Sequence, residues 1–197
     1  MDVSFTVDGR IFTDFEFIPV GVKDEHGKKY SMENYPIFAD TFHEALIISP
    51  FLSASVIKGF NNRNTVIENP ECTLITRRAS LEKLEAPQCD KFKLYTLKDT
   101  IVEGESALSD ESEDLRKQDI HAKLYLWRKY SDSELYLGSH NASYSAMHGN
   151  IEFMIRLRSK NRYLNTEILT RDLFNGAQDN PDNPFELTAL PAISEED

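Results

Sequence analysis

Cysteine is almost missing from this chain. Cys72 and Cys89 are the only two in 197 residues, and no zinc-type spacing links them. They read as free thiols of a cytoplasmic protein rather than as a disulfide framework. Long apolar runs are missing too. None approaches the roughly 18 residues that a membrane-spanning helix needs, and the opening MDVSFTVDGR shows neither the basic nor the apolar region of a signal peptide. A cytoplasmic protein with no membrane partner is the expectation. Positive charge is short: 22 Lys and Arg stand against 33 Asp and Glu, a net charge of -11. That balance excludes a protein that coats nucleic acid by bulk charge, but not a local basic groove. Arg77, Arg78, Lys123, Arg128, Lys129, Arg156 and Arg158 fall on or near the strands singled out below. The acids gather in Glu103 to Asp114 and at the end of the chain. There is no internal repeat.

What is present is ordinary globular composition, 40% hydrophobic and 28% charged, in a length that suits one domain with a sizeable core. Val3 to Ile18 alternates around Asp8-Gly9, which predicts an antiparallel hairpin. Gly21 to Asn34 reads as loop, Tyr35 to Glu44 as a helix, and Ala45 to Phe51 as a buried strand ended by Pro50. Ser53 or Ser55 then caps a helix through about Asn61. Strands follow at Cys72 to Thr76 and Phe92 to Leu97, with Ser80 capping a short helix near Leu81 to Glu85. Glu103 to Lys117 is acidic and Ser-rich, a solvated loop or frayed helix; the sharper alternative is an acidic flap that mimics nucleic acid over the site. Ile120 to Trp127, Glu134 to Leu137 and Ile151 to Leu157 read as core strands, with a turn or short helix at Ala142 to Met147. Asn161 to Phe174 is an amphipathic helix whose apolar set is Tyr163, Leu164, Ile168, Leu169 and Leu173, stopped by Gly176. Ala177 to Asp197 holds three prolines and reads as a tail or a linker. The alternation predicts an α/β fold with a mixed, largely parallel central sheet flanked by helices and preceded by an N-terminal β-hairpin. Its parts are residues 1–34 (hairpin and loop), 35–176 (the main α/β module) and 177–197 (tail or linker).

Ile120 to Leu157 concentrates the chemistry. Period-2 geometry puts His121 and Lys123 on one strand face. Gly138-Ser139-His140-Asn141 follows a strand directly. Glu152 sits alone in an apolar strand, where an unpartnered carboxylate is costly. An imidazole can attack phosphorus, a lysine can hold phosphate oxygens, and a carboxylate can orient the imidazole. Each group also has a plainer reading: a satisfied strand histidine, a surface lysine, turn residues at Ser139 and Asn141. His140 and His148 are near this stretch, but their separation fits no common zinc pattern. His26 and His43 read as surface or helix residues, and Arg77 and Arg78 as the end of a strand entering a solvated loop.

Taken together these residues resemble the phospholipase D superfamily, whose signature is HxK(x)4D, then GSxN, then a downstream acidic residue. His121, Lys123, Gly138, Ser139, Asn141 and Glu152 match in order. The family's Asp would fall at Arg128, with Asp132 as a displaced equivalent. The resemblance implies a phospholipase D-like module and phosphodiester cleavage through two histidines with no metal or other cofactor. One histidine forms a phosphohistidine; the other protonates the leaving oxygen. His121, Lys123 and Glu152 would be catalytic, and Lys123, Ser139 and Asn141 would bind phosphate. The chain carries one such motif, so the resemblance implies a homodimer, or a second HKD module beyond residue 197. It points to an endonuclease acting on nucleic acid, in a prokaryotic defence or restriction setting. The alternatives are a phospholipid-cleaving or phosphatidyl-transfer enzyme, and a degenerate module that binds nucleic acid without turnover.

Overall fold

The computed structural model describes residues 9–64, 71–99, 120–176 and 179–190. Its frame is one sheet of eight strands, ordered β1-β7-β6-β5-β2-β3-β4-β8. The strands are β1 (Phe12–Val20), β2 (Glu44–Ile48), β3 (Glu71–Ile75), β4 (Phe92–Leu97), β5 (Lys123–Lys129), β6 (Asp132–Gly138), β7 (Glu152–Lys160) and β8 (Phe185–Leu187). The α/β class and the flanking helices are as the sequence predicts. The balance of strand directions is not. Only β2 with β3 and β3 with β4 run parallel; the other five pairings are antiparallel. The cause is in the connections. A helical crossover returns the chain in parallel, through α2 (Ala54–Arg63) between β2 and β3 and through α3 (Arg78–Leu81) and α4 (Ala86–Cys89) between β3 and β4. Tyr130 and Ser131 instead close β5 onto β6 in two residues, with Tyr130 in the left-handed region at φ 54°, and so short a link permits only an antiparallel pair.

The N-terminal segment does not stand apart from the sheet. β1 pairs along its length with β7, while the turn expected at Asp8-Gly9 involves residues outside those described. At the opposite edge β8, inside the segment expected as tail or linker, pairs with β4. The helix expected from Tyr35 to Glu44 shrinks to α1 (Pro36–Ala39), because His43 and Glu44 are already drawn into pairing beside Arg128. The acidic stretch from Glu103 to Lys117, and with it the flap, lies outside the described residues.

Both sheet faces are buried at the centre, which explains the near-continuous apolar runs of the middle strands. Ile18, Ile47, Leu74, Tyr125, Tyr136 and Met154 belong to one core, packed with Phe38, Phe42, Ile57 and Phe60. Leu46, Ile48, Ile75, Leu124, Leu126 and Leu135 belong to the other, closed by Leu164 and Phe174 around α5 (Thr166–Leu173). Both cysteines are free and buried. Burial pushes the Cys72 thiol up to about 12, which leaves it unreactive at neutral pH. Among the described residues no helix is long and apolar enough to cross a membrane.

Candidate active site

Strand register collects the motif residues at one end of the sheet. Lys123 opens β5 opposite Gly138, the last residue of β6, and Gly138 lies opposite Met154 of β7. Cross-strand partners share a face. Glu152 is two residues before Met154 on that face and pairs with Val20, at the end of β1. β2 and β3 finish at the same edge, with Ile48 opposite Leu124 and Ile75 alongside. The carboxyl ends of parallel strands are the common place for ligands in open α/β sheets.

His121 falls outside the ladder. The strand expected from Ile120 begins at Lys123, because its neighbours β2 and β6 have ended there and nothing remains to pair with. Ile120 is buried, while His121 and Ala122 are exposed. Lys123, half-buried, donates from Nζ to the His121 carbonyl at 2.8 Å, so the pair is joined through the backbone of the histidine. On the other side an Arg77 Nη donates to the Ile120 carbonyl at 3.4 Å. The imidazole is held at its root by two cationic side chains while its ring faces solvent.

Gly138 is required by close approach. A Cβ there would stand 2.0 Å from the Phe153 carbonyl oxygen and 2.6 Å from Met154 Sδ. That intimacy locks Ser139 to β7. Its amide donates to the Phe153 carbonyl at 3.0 Å, and its hydroxyl accepts from the Phe153 amide at 3.0 Å. The same hydroxyl donates to Glu152 Oε2 at 2.5 Å, and Asn150 Nδ2 donates to Oε1 at 3.0 Å. The Glu152 carboxylate is buried and both its oxygens are used, which answers the desolvation cost. Its hydrogen bonds go to Ser139 and Asn150; among the described residues none goes to His121. Asn141 is half-buried, and its Oδ1, buried, accepts no hydrogen bond from the described residues.

The loop bearing Asn141 is braced from β2. Ser49 Oγ accepts from the Ala142 amide at 2.9 Å and donates to the Phe51 carbonyl at 2.8 Å. Leu52 and Ala142 form a bridge, and the Ser53 amide donates to the Ala142 carbonyl at 2.9 Å. Ser49 and Asn150 carry no motif signal; a polar residue ending a buried strand was the sign available for Ser49.

His140 is the residue that sequence reasoning undervalued. It is wholly buried between the rings of Phe38 and Tyr125, at centroid distances of 5.5 and 6.3 Å. Its carbonyl accepts from the Tyr125 hydroxyl at 2.8 Å, and among the described residues neither ring nitrogen finds a hydrogen bond of normal geometry. Burial pushes its pKa down to about 4, against the opposing pull of the Glu152 carboxylate, so the ring is neutral at physiological pH. Its even spacing from Tyr136 and Gly138 was the available clue to an inward orientation.

The basic residues that the sequence places on or near the site strands are largely engaged in ion pairs. Arg128, where the family pattern has Asp, binds Glu44, whose second oxygen accepts from the Thr166 amide at 3.3 Å. Arg156 is shared by Glu134 and Glu16, Arg158 binds Asp14 at 2.8 Å, and Arg78 binds Glu186 at 2.5 Å. Lys129 donates to Thr41. Asp132 binds Lys160 at 2.5 Å and stands at the far end of β6 from Gly138, about 20 Å away by strand rise. It therefore takes no part in the chemistry of the site end. Arg77 and Lys123 stand at the site end, where they donate to the Ile120 and His121 carbonyls.

No family model matches the chain, and no curated protein does. Solved structures that resemble it include a phospholipase D family member, Nuc from Salmonella typhimurium, at 11% identity and a TM-score of 0.40, covering 67% of this chain and 76% of that one. NucT from Helicobacter pylori resembles it at 14% identity and 0.38, covering 68% and 79%. The yeast tyrosyl-DNA phosphodiesterase does so at 12% and 0.41, covering 74% of this chain and 32% of that protein. Overlap this loose transfers no residue role, and the chemistry of the site rests on its own side chains.

Proposed function

We propose that this protein is a phosphodiesterase that cleaves nucleic acid as an endonuclease, through a phosphohistidine, with two copies of the chain completing one site. The observation that carries this reading is the gathering of His121, Lys123, Ser139, Asn141 and Glu152 at one sheet end, with the histidine exposed and the carboxylate anchored. In the first step the His121 imidazole of one protomer attacks phosphorus. A P–N bond forms and the P–O bond to the leaving strand breaks, while the second protomer's imidazolium donates a proton to the departing oxygen. In the second step that imidazole takes a proton from water, whose oxygen attacks phosphorus as the P–N bond breaks. Lys123 and Asn141 hold the non-bridging oxygens as charge develops on them. An exposed imidazole suits a half-site that another copy covers. The same reading includes a role in prokaryotic defence or restriction, which the resemblance of the motif stretches supports.

The test is cleavage of plasmid and oligonucleotide substrates in excess chelator. Wild type is expected to cut, and His121→Ala to lose at least about a thousandfold in rate, as for removal of a covalent nucleophile. Cutting that survives His121→Ala would dismiss the reading. Release of phosphatidic acid from vesicles, with no attack on nucleic acid, would redirect it to the lipid alternative. One observation favours a second reading, a module that binds without turnover: Glu152 already spends both oxygens on Ser139 and Asn150, and Arg128 replaces the family's Asp. Tight oligonucleotide binding with no cleavage of any diester would establish it.

A further inference from the structure

We propose that Phe51, backed by Arg77, and Tyr144, beside His148, are base-stacking platforms on the rim of this site, and that the nucleic acid it takes is single-stranded. The proposal rests on the nucleic-acid reading above and narrows it. Exposed aromatic rings scattered singly need no explanation; these two are neither scattered nor loose. Phe51 is 50% exposed and Tyr144 63% exposed. The Arg77 guanidinium carbon lies 4.4 Å from the Phe51 ring centroid, and the same guanidinium reaches the Ile120 carbonyl, next to His121. The Tyr144 and His148 rings lie 4.3 Å apart, and His148 Nδ1 is 3.4 Å from a Glu33 oxygen.

The two rings also belong to one braced unit. The Phe51 carbonyl is held by Ser49. The Tyr144 amide donates to Ser53 Oγ at 2.8 Å, and Tyr144 follows Asn141 by three residues. Thus the loops that bear the rings are tied to each other and to the phosphate-binding Asn141 before any ligand arrives, which lowers the ordering cost of binding. Duplex bases hide their faces in the stack. An aromatic platform engages bases that are already unstacked, and it tolerates any sequence because every base has a π face. Charge argues the same way. With a net charge of -11 and most nearby cations paired, the chain has few groups to release counterions from phosphates, so stacking must supply much of the affinity and the salt slope must be shallow.

The test uses the full chain with His121→Ala, so that substrates stay intact, and fluorescence anisotropy with three labelled probes: an oligo-dT strand, an abasic strand of equal length, and a duplex. The oligo-dT strand is expected to bind most tightly. Phe51→Ala and Tyr144→Ala should each weaken it about tenfold while leaving the abasic strand unchanged; Phe51→Trp and Tyr144→Phe should keep it. Oligo-dT affinity indifferent to both alanine changes, or duplex bound as tightly as oligo-dT, would overturn the inference, even if the protein proves a nuclease. Ring-dependent binding in a protein that cleaves nothing would sustain the inference and sink the enzymatic reading.

Discussion

At the scale of single residues, His140 and His121 show how two histidines nineteen positions apart in sequence acquire opposite lives. His121 sits just off a strand end with its ring in solvent, as the proposed reaction requires. His140, two residues past the end of a neighbouring strand, turns inward and is neutral by burial. A histidine with a folded pKa of about 4 and an unfolded value near 6.5 binds fewer protons when folded. Its stabilising effect is therefore complete above about pH 6.5 and lost as pH falls through about 4. The shift corresponds to at most about 3 kcal/mol. His140→Met, which fills the aromatic cage without a titrating group, is expected to flatten the loss of stability between pH 6.5 and 4. Urea denaturation of both proteins across that range measures it, and parallel curves would show that His140 plays no part.

At the scale of elements, the site depends on how closely β6 and β7 approach. Gly138→Ala places a methyl group on the Phe153 carbonyl, a contact that β7 relieves only by moving away. The expected result is a loss of about 1–3 kcal/mol in stability, together with an activity loss comparable to that of Ser139→Ala, because both separate Ser139 from Glu152. A Gly138→Ala protein with wild-type rate and melting temperature would refute this. One turn of strand further in, the same strands are pinned by Arg156, whose guanidinium binds Glu134 and Glu16 while Tyr136 and Tyr35 bind those carboxylates. Arg156→Ala leaves buried Glu134 with Arg158, at 3.9 Å, as its remaining cation and is expected to cost about 3 kcal/mol. Replacing both, as Arg156→Met with Glu134→Leu, should cost less than the single change, since no buried charge is stranded. Chemical denaturation of the two variants decides.

For the whole molecule, the central expectation is that one chain of 22.6 kDa is half of a reaction centre. Sedimentation should return a dimer, and subunit exchange gives a sharper check. If both His121 rings serve one site, equal mixing with His121→Ala should halve the activity per wild-type subunit, to about half, through random pairing in a twofold dimer. Unchanged activity would mean that each chain works alone. Much of the fold was legible in residue order. Apolar runs located β2, β3, β4, β6 and β7 to within a few residues, because burial on two sheet faces leaves a continuous signature. The HxK, GSxN and Glu152 pattern located the candidate site, because each group lies within a few residues of a strand end and strand spacing is regular. Other features had no local signature. Nothing near β5 states that it runs against β2, since direction follows from connections and pairing partners. Nothing near Arg128 announces Glu44, 84 positions away, which is why cations that looked available to a phosphate are engaged elsewhere. The sequence by itself determined which chemical groups exist and on which face of a strand they fall, since both follow from residue type and period. Only the tertiary structure decided which of them share an edge, which are already satisfied and which still face solvent, because those are properties of long-range pairing and burial.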